Sequence, residues 1–229
     1  MDTITKRATK FLVTILSAVF ILTACNSPVE SNNNMYDQDI AEMLKAMPVE
    51  EISPAELEGL LFMREEEKLA RDVYIVLYQT WNMKVFNNIS QSEQKHTDAI
   101  KMLLDRYSIE DPVTTDEVGV FQNEDLLALY NTLIEQGKTS LVEALKVGAA
   151  IEEIDILDLH ENIALVDNED ITFVYENLTR GSRNHLRAFV RNLSSQGVEY
   201  QPQYLDETEF QSIISSETEN GKGRGRGRK

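Results

Sequence analysis

The chain has 229 residues and a formal net charge of −17, enough for one well-packed domain with tails but short for two full domains. Apolar residues make up 42% and charged residues 27%, the balance of a soluble globular protein, and the acidity argues against a folded nucleic-acid-binding surface. Five prolines and ten glycines are few, which favours long helices over a turn-rich β architecture.

At the N-terminus Lys6, Arg7 and Lys10 precede a largely apolar run from Phe11 to Ala24. A basic start followed by so short an apolar run predicts a secretory signal over residues 1–24; a retained anchor helix is the alternative. The run ends in LTAC, which resembles the lipobox of bacterial lipoproteins. That resemblance implies that Cys25, the only cysteine, is lipidated and attaches the protein to a membrane outside the cytoplasm, in the periplasm or on the outer cell surface. Losing residues 1–24 removes three basic residues and one acidic one, which takes the net charge from −17 to −19.

Residues 25–52 form the lipidated cysteine and a polar tether, with a short helical segment expected from about Tyr36 to Met47. SPAE at 53–56 then gives a strong helix start: Ser53 caps, Pro54 suits the first helical position, and Glu56 closes a capping box. This first long helix runs to about Thr80, WNMK reverses the chain, and a second runs from about Val85 to Tyr107. A long connection comes next, containing a short amphipathic helix from Gln122 to Glu135 that Gly137 closes. A third long helix spans Thr139 or Ser140 to Ile163, and a fourth spans Asp170 to Leu193. Residues 206–229 read as a flexible tail with a basic glycine/arginine end, GKGRGRGRK. The expected fold is all-α, a ferritin-like four-helix bundle over residues 53–205, in which a long crossover with a short helix joins two antiparallel pairs.

Each long helix carries one apolar seam at bundle spacing. The first reads Leu60, Met63, Glu67, Ala70, Tyr74, Leu77 and Trp81; the second Phe86, Ile89, Glu93, His96, Ile100, Leu103 and Tyr107. The third reads Leu141, Leu145, Gly148, Glu152, Asp155 and Leu159; the fourth Ile171, Tyr175, Leu178, Ser182, His185 and Phe189. Every seam is apolar at its ends and polar near its middle, so the polar positions should meet at one depth. Unpaired carboxylates there cost several kcal/mol each or give up their charge. A bound cation removes that cost and accepts neutral imidazole as a ligand. Glu93 and His96, three positions apart, can reach the same ion. Ser90 and Glu93 also have capping-box spacing, but Phe86 and Ile89 in register place the helix start earlier. His160 falls off the seam and reads as an ordinary histidine.

MREEEKLARDVY and FNNISQSEQKH resemble the first two helices of rubrerythrins and other ferritin-like di-iron proteins. Over residues 55–205, the runs EEEKLARDVY, SEQKH, GAAIEEIDILDL and GSRNHLRAF are closer still to a ferritin-like group, the domain-of-unknown-function family 2202. The resemblance implies a metal set of Glu67, Glu93, His96, Glu152 and His185, with Glu66, Glu153 and Asp155 as rivals for the carboxylate positions and Tyr74 beside the first ligand. At one position the chain departs: Ser182 stands where the common pattern has a second glutamate, three before the histidine. A set of three carboxylates and two imidazoles fits one ion, or an asymmetric pair completed by water or Asp155.

Seams and resemblance together imply a lipid-anchored metal protein that holds iron, or else manganese or zinc, and oxidises ferrous iron with oxygen or peroxide. Open coordination positions would admit the oxidant. With one cysteine, the chain lacks the four-cysteine iron domain of rubrerythrins, so electrons for peroxide reduction come from elsewhere. Two non-enzymatic readings stand beside this one: an envelope lipoprotein with a structural or storage metal, and a metal-free interaction bundle in which Glu93 and His96 pair. The partners implied are a membrane through Cys25, a metal ion, and a second copy or an envelope protein; nucleic acid is excluded.

Overall fold

The computed structural model describes residues 36 to 220. The expected signal segment, Cys25 and the basic glycine/arginine end lie outside the described residues. The fold is all-α. Its helices are α1 (Tyr36–Ala46), α2 (Pro54–Trp81), α3 (Lys84–Tyr107), α4 (Glu124–Gly137), α5 (Leu141–Ile163), α6 (Glu169–Ser195) and α7 (Glu207–Ser215), with no strand among the described residues.

The helix starts follow from their capping residues. The Ser53 hydroxyl accepts the Glu56 amide at 3.2 Å while Glu56 Oε2 accepts the Ser53 amide at 2.8 Å, and Pro54 opens α2. The other oxygen of Glu56 accepts the Asn168 amide at 3.1 Å, so one carboxylate ties the start of α2 to the start of α6. Asn82 adopts a left-handed conformation, φ 50°, which asparagine tolerates better than most residues, and this turns α2 into α3. Ser140 caps α5 by accepting the Glu143 amide at 3.1 Å.

The long helices pack α2 along α3 and α5 along α6, with α2 also facing α5 and α3 facing α6. The expected seams are buried almost throughout; Trp81, Tyr107 and Leu141, at seam ends, are half-buried. Apolar side chains gather in two groups. One contains Val73, Tyr74, Leu77, Phe86, Leu145 and Phe189; the other contains Leu60, Met63, Ile100, Leu103, Tyr175 and Leu178. Along each helix the change from one group to the other falls at the polar seam positions.

A charged strip of α2 off its apolar seam is also buried, because the crossover closes over it beside α3. Lys68 is fully buried; it donates to Asp72 Oδ2 at 2.6 Å and to the Glu117 and Val120 carbonyls at 2.9 and 3.1 Å, and lies 4.6 Å from the Phe121 ring centroid. Arg71 reaches Asp72 Oδ1 at 2.9 Å and Gln94 at 2.6 Å. Arg64 pairs with Asp111 at 3.0 Å and donates to the Thr97 hydroxyl. The Glu65 carboxylate accepts the Gln122 and Asn123 amides. A connection that sequence alone marks as irregular is thus fixed by one helix turn after another of α2.

The short helix expected from about Tyr36 to Met47 is present as α1, which buries Ile40 and Leu44 beside α3. One boundary differs from the sequence expectation: no free tail begins at 206. There Asp206 caps α7, which buries Phe210 and Ile213 against α6. Beyond it, Glu219 pairs with Arg183 at 2.5 Å and Arg187 at 2.8 Å.

Removing one partner of a buried ion network leaves a charge without its counter-ion. Lys68→Ala should therefore cost about 3–5 kcal/mol of unfolding free energy in urea titration and expose the 109–123 connection to protease. A cost below about 1 kcal/mol, the scale of a surface pair, would show that this network does not anchor the crossover.

Candidate metal centre

The polar seam positions converge. From α2 comes Glu67, from α3 Glu93 and His96, from α5 Glu152, and from α6 His185; all five are buried. Glu93 stands at the middle. Its Oε2 lies 2.8 Å from His96 Nδ1, and its Oε1 lies 2.8 Å from His185 Nδ1. His96 Nδ1 is also 3.2 Å from Glu67 Oε2, and His185 Nδ1 is 3.4 Å from Glu152 Oε2. Two three-residue groups result, Glu67–Glu93–His96 and Glu93–Glu152–His185, each with its ligand atoms within 4.8 Å of one another. The imidazoles stack, with centroids 5.4 Å apart and planes at 27°.

Charge is balanced awkwardly in this arrangement. Burial pushes Glu67 up to about 7, against the pull of His96, and burial with Glu93 alongside pushes Glu152 up to about 7. Burial acts the same way on Glu93, but His185 and His96 outweigh it and hold that carboxyl well below its usual range. Burial alone would lower the histidines; Glu93 and Glu152 instead raise His185 to about 10, and Glu93 and Glu67 raise His96 well above its ordinary value.

The donor set fits a cation. Glu67 Oε1, Glu93 Oε1 and His185 Nδ1 are buried without a hydrogen bond. Glu93 Oε1 and His185 Nδ1 are 2.8 Å apart yet not aligned as donor and acceptor, as befits two ligands directed at a common third partner. Carboxylate oxygens and imidazole nitrogens in this proportion suit iron, manganese or zinc.

The surrounding residues divide clearly. Tyr74 donates to Glu152 Oε1 at 2.6 Å, with the Gly148 carbonyl at 3.2 Å, so it orients that carboxylate. Ser182 donates to Asp155 Oδ2 and to the Leu178 carbonyl. Asp155 leaves its Oδ1 without a partner and lies in the field of Glu67, Glu152 and Glu93, so a carboxylate does occupy the neighbourhood of the serine. Glu66 turns instead toward Asp158 and Asp155. Glu153 is committed elsewhere: it accepts the Tyr200 hydroxyl at 2.6 Å and the amides of Gln203, Tyr204 and Leu205 at 2.9, 2.8 and 2.9 Å. His160 is exposed, 3.5 Å from Glu209.

Two residues at the centre are not legible from the seams. Ser92 holds His185 Nε2 at 2.9 Å; its only sequence signal is its place beside Glu93. Gly181 lies against His96. A Cβ there would stand 2.4 Å from Nε2 and 2.6 Å from Cε1, so the close approach of the imidazole to α6 requires glycine.

An all-helical bundle that gathers three glutamates and two histidines at its mid-depth is the class these observations define. The chain belongs to the family described as uncharacterized protein domain DUF2202, which residues 56–217 match. It is 55% identical over 183 residues to the uncharacterized protein MJ0754 of Methanocaldococcus jannaschii, spanning 80% of this chain and 99% of that one. The crystal structure of hypothetical protein MJ0754 from Methanococcus jannaschii is similar with a TM-score of 0.75 at 57% identity, covering 76% of this chain and 99% of that one.

Gly181→Ala should displace His96 and weaken cobalt(II) binding about 10–100-fold, the range seen for disturbed supporting residues, with little loss of helicity by circular dichroism; unchanged affinity would remove His96 from the centre. The same buried charges set a pH dependence. Glu67 and Glu152 bind protons more tightly folded than unfolded, so their contribution to the metal-free protein fades as pH rises from 4.5 to 7. The raised His185 contributes fully below 6.5 and fades as pH approaches 10. The chelator-treated protein should therefore melt lower at pH 8.5 than at pH 5.5. Added metal should raise the melting temperature more at the higher pH, where ligands deprotonate more readily. A metal-free melting temperature that climbs across this interval contradicts the charge assignment.

Proposed function

We propose that the chain is a lipid-anchored, ferritin-like four-helix bundle whose crossover carries a short helix, and that Glu67, Glu93, His96, Glu152 and His185 hold one or two iron ions in its interior. One observation carries this reading: Glu93 directs its two oxygens at two different imidazoles, and each imidazole has a second glutamate beside it. Such a carboxylate can serve two adjacent ions or close around one.

Bound iron supplies one-electron redox chemistry. Oxidation of two ferrous ions to ferric would reduce one peroxide to two waters with the uptake of two protons. The chain's part is to supply three anionic ligands against the growing positive charge and to keep bulk water out. Tyr74 fixes Glu152 so that one of its oxygens faces the centre. Ser92 holds His185 by Nε2, which leaves Nδ1 for the interior. Ser182 fixes Asp155 at the edge, where a further carboxylate balances charge.

Manganese or zinc would suit the same donors, and zinc without turnover would make the protein a structural or storage lipoprotein. Elemental analysis of the purified protein decides the metal. Iron in the wild type, absent in the His96→Ala/His185→Ala double variant and accompanied by an oxygen- or peroxide-dependent absorbance rise near the ultraviolet, is the expected outcome. Tightly held zinc with no such rise overturns the redox proposal; no metal in a folded wild type overturns the centre itself.

A further inference from the structure

A second pair of carboxylates lies beside the five-residue centre, and it lines a cavity. Glu66 and Asp155 border a small space between α2, α4 and α5 whose other walls are apolar, among them Ile151, Ile154 and Leu129. Glu66 is 6% exposed and Asp155 5%. One oxygen of each, Glu66 Oε2 and Asp155 Oδ1, has no hydrogen-bond partner. Buried oxygens left this way are costly in an apolar space unless something polar or cationic visits them.

The placement gives the space a direction. Asp155 lines the space beside Glu66, accepts from Ser182 of α6 and lies in the field of the centre's carboxylates, Glu67, Glu152 and Glu93, so it borders both the space and the centre. On the α4 wall Leu129 is half-buried while the other lining residues are buried, which makes α4 the solvent side. A divalent cation crossing such a wall must exchange water for oxygen ligands at each stage, because apolar side chains offer it none.

We propose that this cavity is the port through which a divalent cation reaches the centre, with Glu66 and then Asp155 taking it from water and passing it inward. The proposal rests on the metal-centre reading above and adds a route and two carboxylates that act in transit. Glu66 belongs to neither ligand group of the centre, so its removal should change how fast the ion arrives more than how tightly it stays.

Stopped-flow mixing of cobalt(II) with the full-length, metal-free protein, followed by the visible absorbance of the bound ion, tests this. Glu66→Gln and Leu129→Trp should slow loading at least about tenfold, the lower end of electrostatic guidance effects. Leu129→Ala should load as fast as the wild type or faster. Final absorbance should be unchanged in all three, with equilibrium affinity falling less than the rate. Equal loading rates across the variants overturn the port while leaving the centre intact. A lower final absorbance in Glu66→Gln makes Glu66 a ligand and overturns its transit role. A wild type that takes up no cobalt removes the centre, and the port with it.

Discussion

Placing five ionisable side chains at one level of a helical interior is the constraint to which the rest of the molecule answers. An unpaired buried charge costs several kcal/mol, and a whole domain is stable by only about 5–15 kcal/mol, so this level must settle its own charge. Three features do so in the absence of an ion. Glu93 keeps its charge between two imidazoles, Glu67 and Glu152 are pushed toward neutrality, and Tyr74 donates to Glu152. The result is tolerable but leaves oxygens and a ring nitrogen without hydrogen bonds.

A second set of buried charges stands behind the first on α2. Lys68 and Arg71 share Asp72 and bind the crossover backbone, while Arg64 pairs with Asp111 of the crossover and Glu65 accepts the Gln122 and Asn123 amides. This cover seals the helix that carries Glu66 and Glu67. The centre is therefore walled by salt bridges on one side and by apolar packing above and below, which keeps bulk water from the carboxylates. On α5, consecutive residues serve opposite purposes: Glu152 faces the centre, while Glu153, about 100° around the helix, binds the 200–205 segment.

Much of this is legible in the sequence because period and depth carry it. Seams of Leu60, Phe86, Leu145 and Ile171 with their successors fix which face of each helix is buried, and Glu67, Glu93, Glu152 and His185 interrupt them at matching positions. Other parts have no periodic signal. Lys68 and Arg71 lie off the seam, and their burial is set by an irregular loop that no period announces. Glu153 stays a rival to Glu152 in the sequence although it lies off the seam, and the distant amides of Gln203 to Leu205 show what occupies it. Gly181 carries no seam signal, because its purpose lies in a ring contributed by another helix. The helix α7 is short, with Phe210 and Ile213 as its buried pair, yet Asp206 followed by Glu209 is a start signal present in the chain.

The two apolar groups have a mechanical consequence. Ordinary helix bundles loosen at their tips, where hydrogen bonds are unmet and packing thins. Here cohesion is greatest toward either extremity, and the slice between them contains side chains that repel or merely tolerate one another. The metal-free molecule should breathe from its waist outward, and a guest lodged there acts as a rivet joining two otherwise semi-independent hydrophobic blocks.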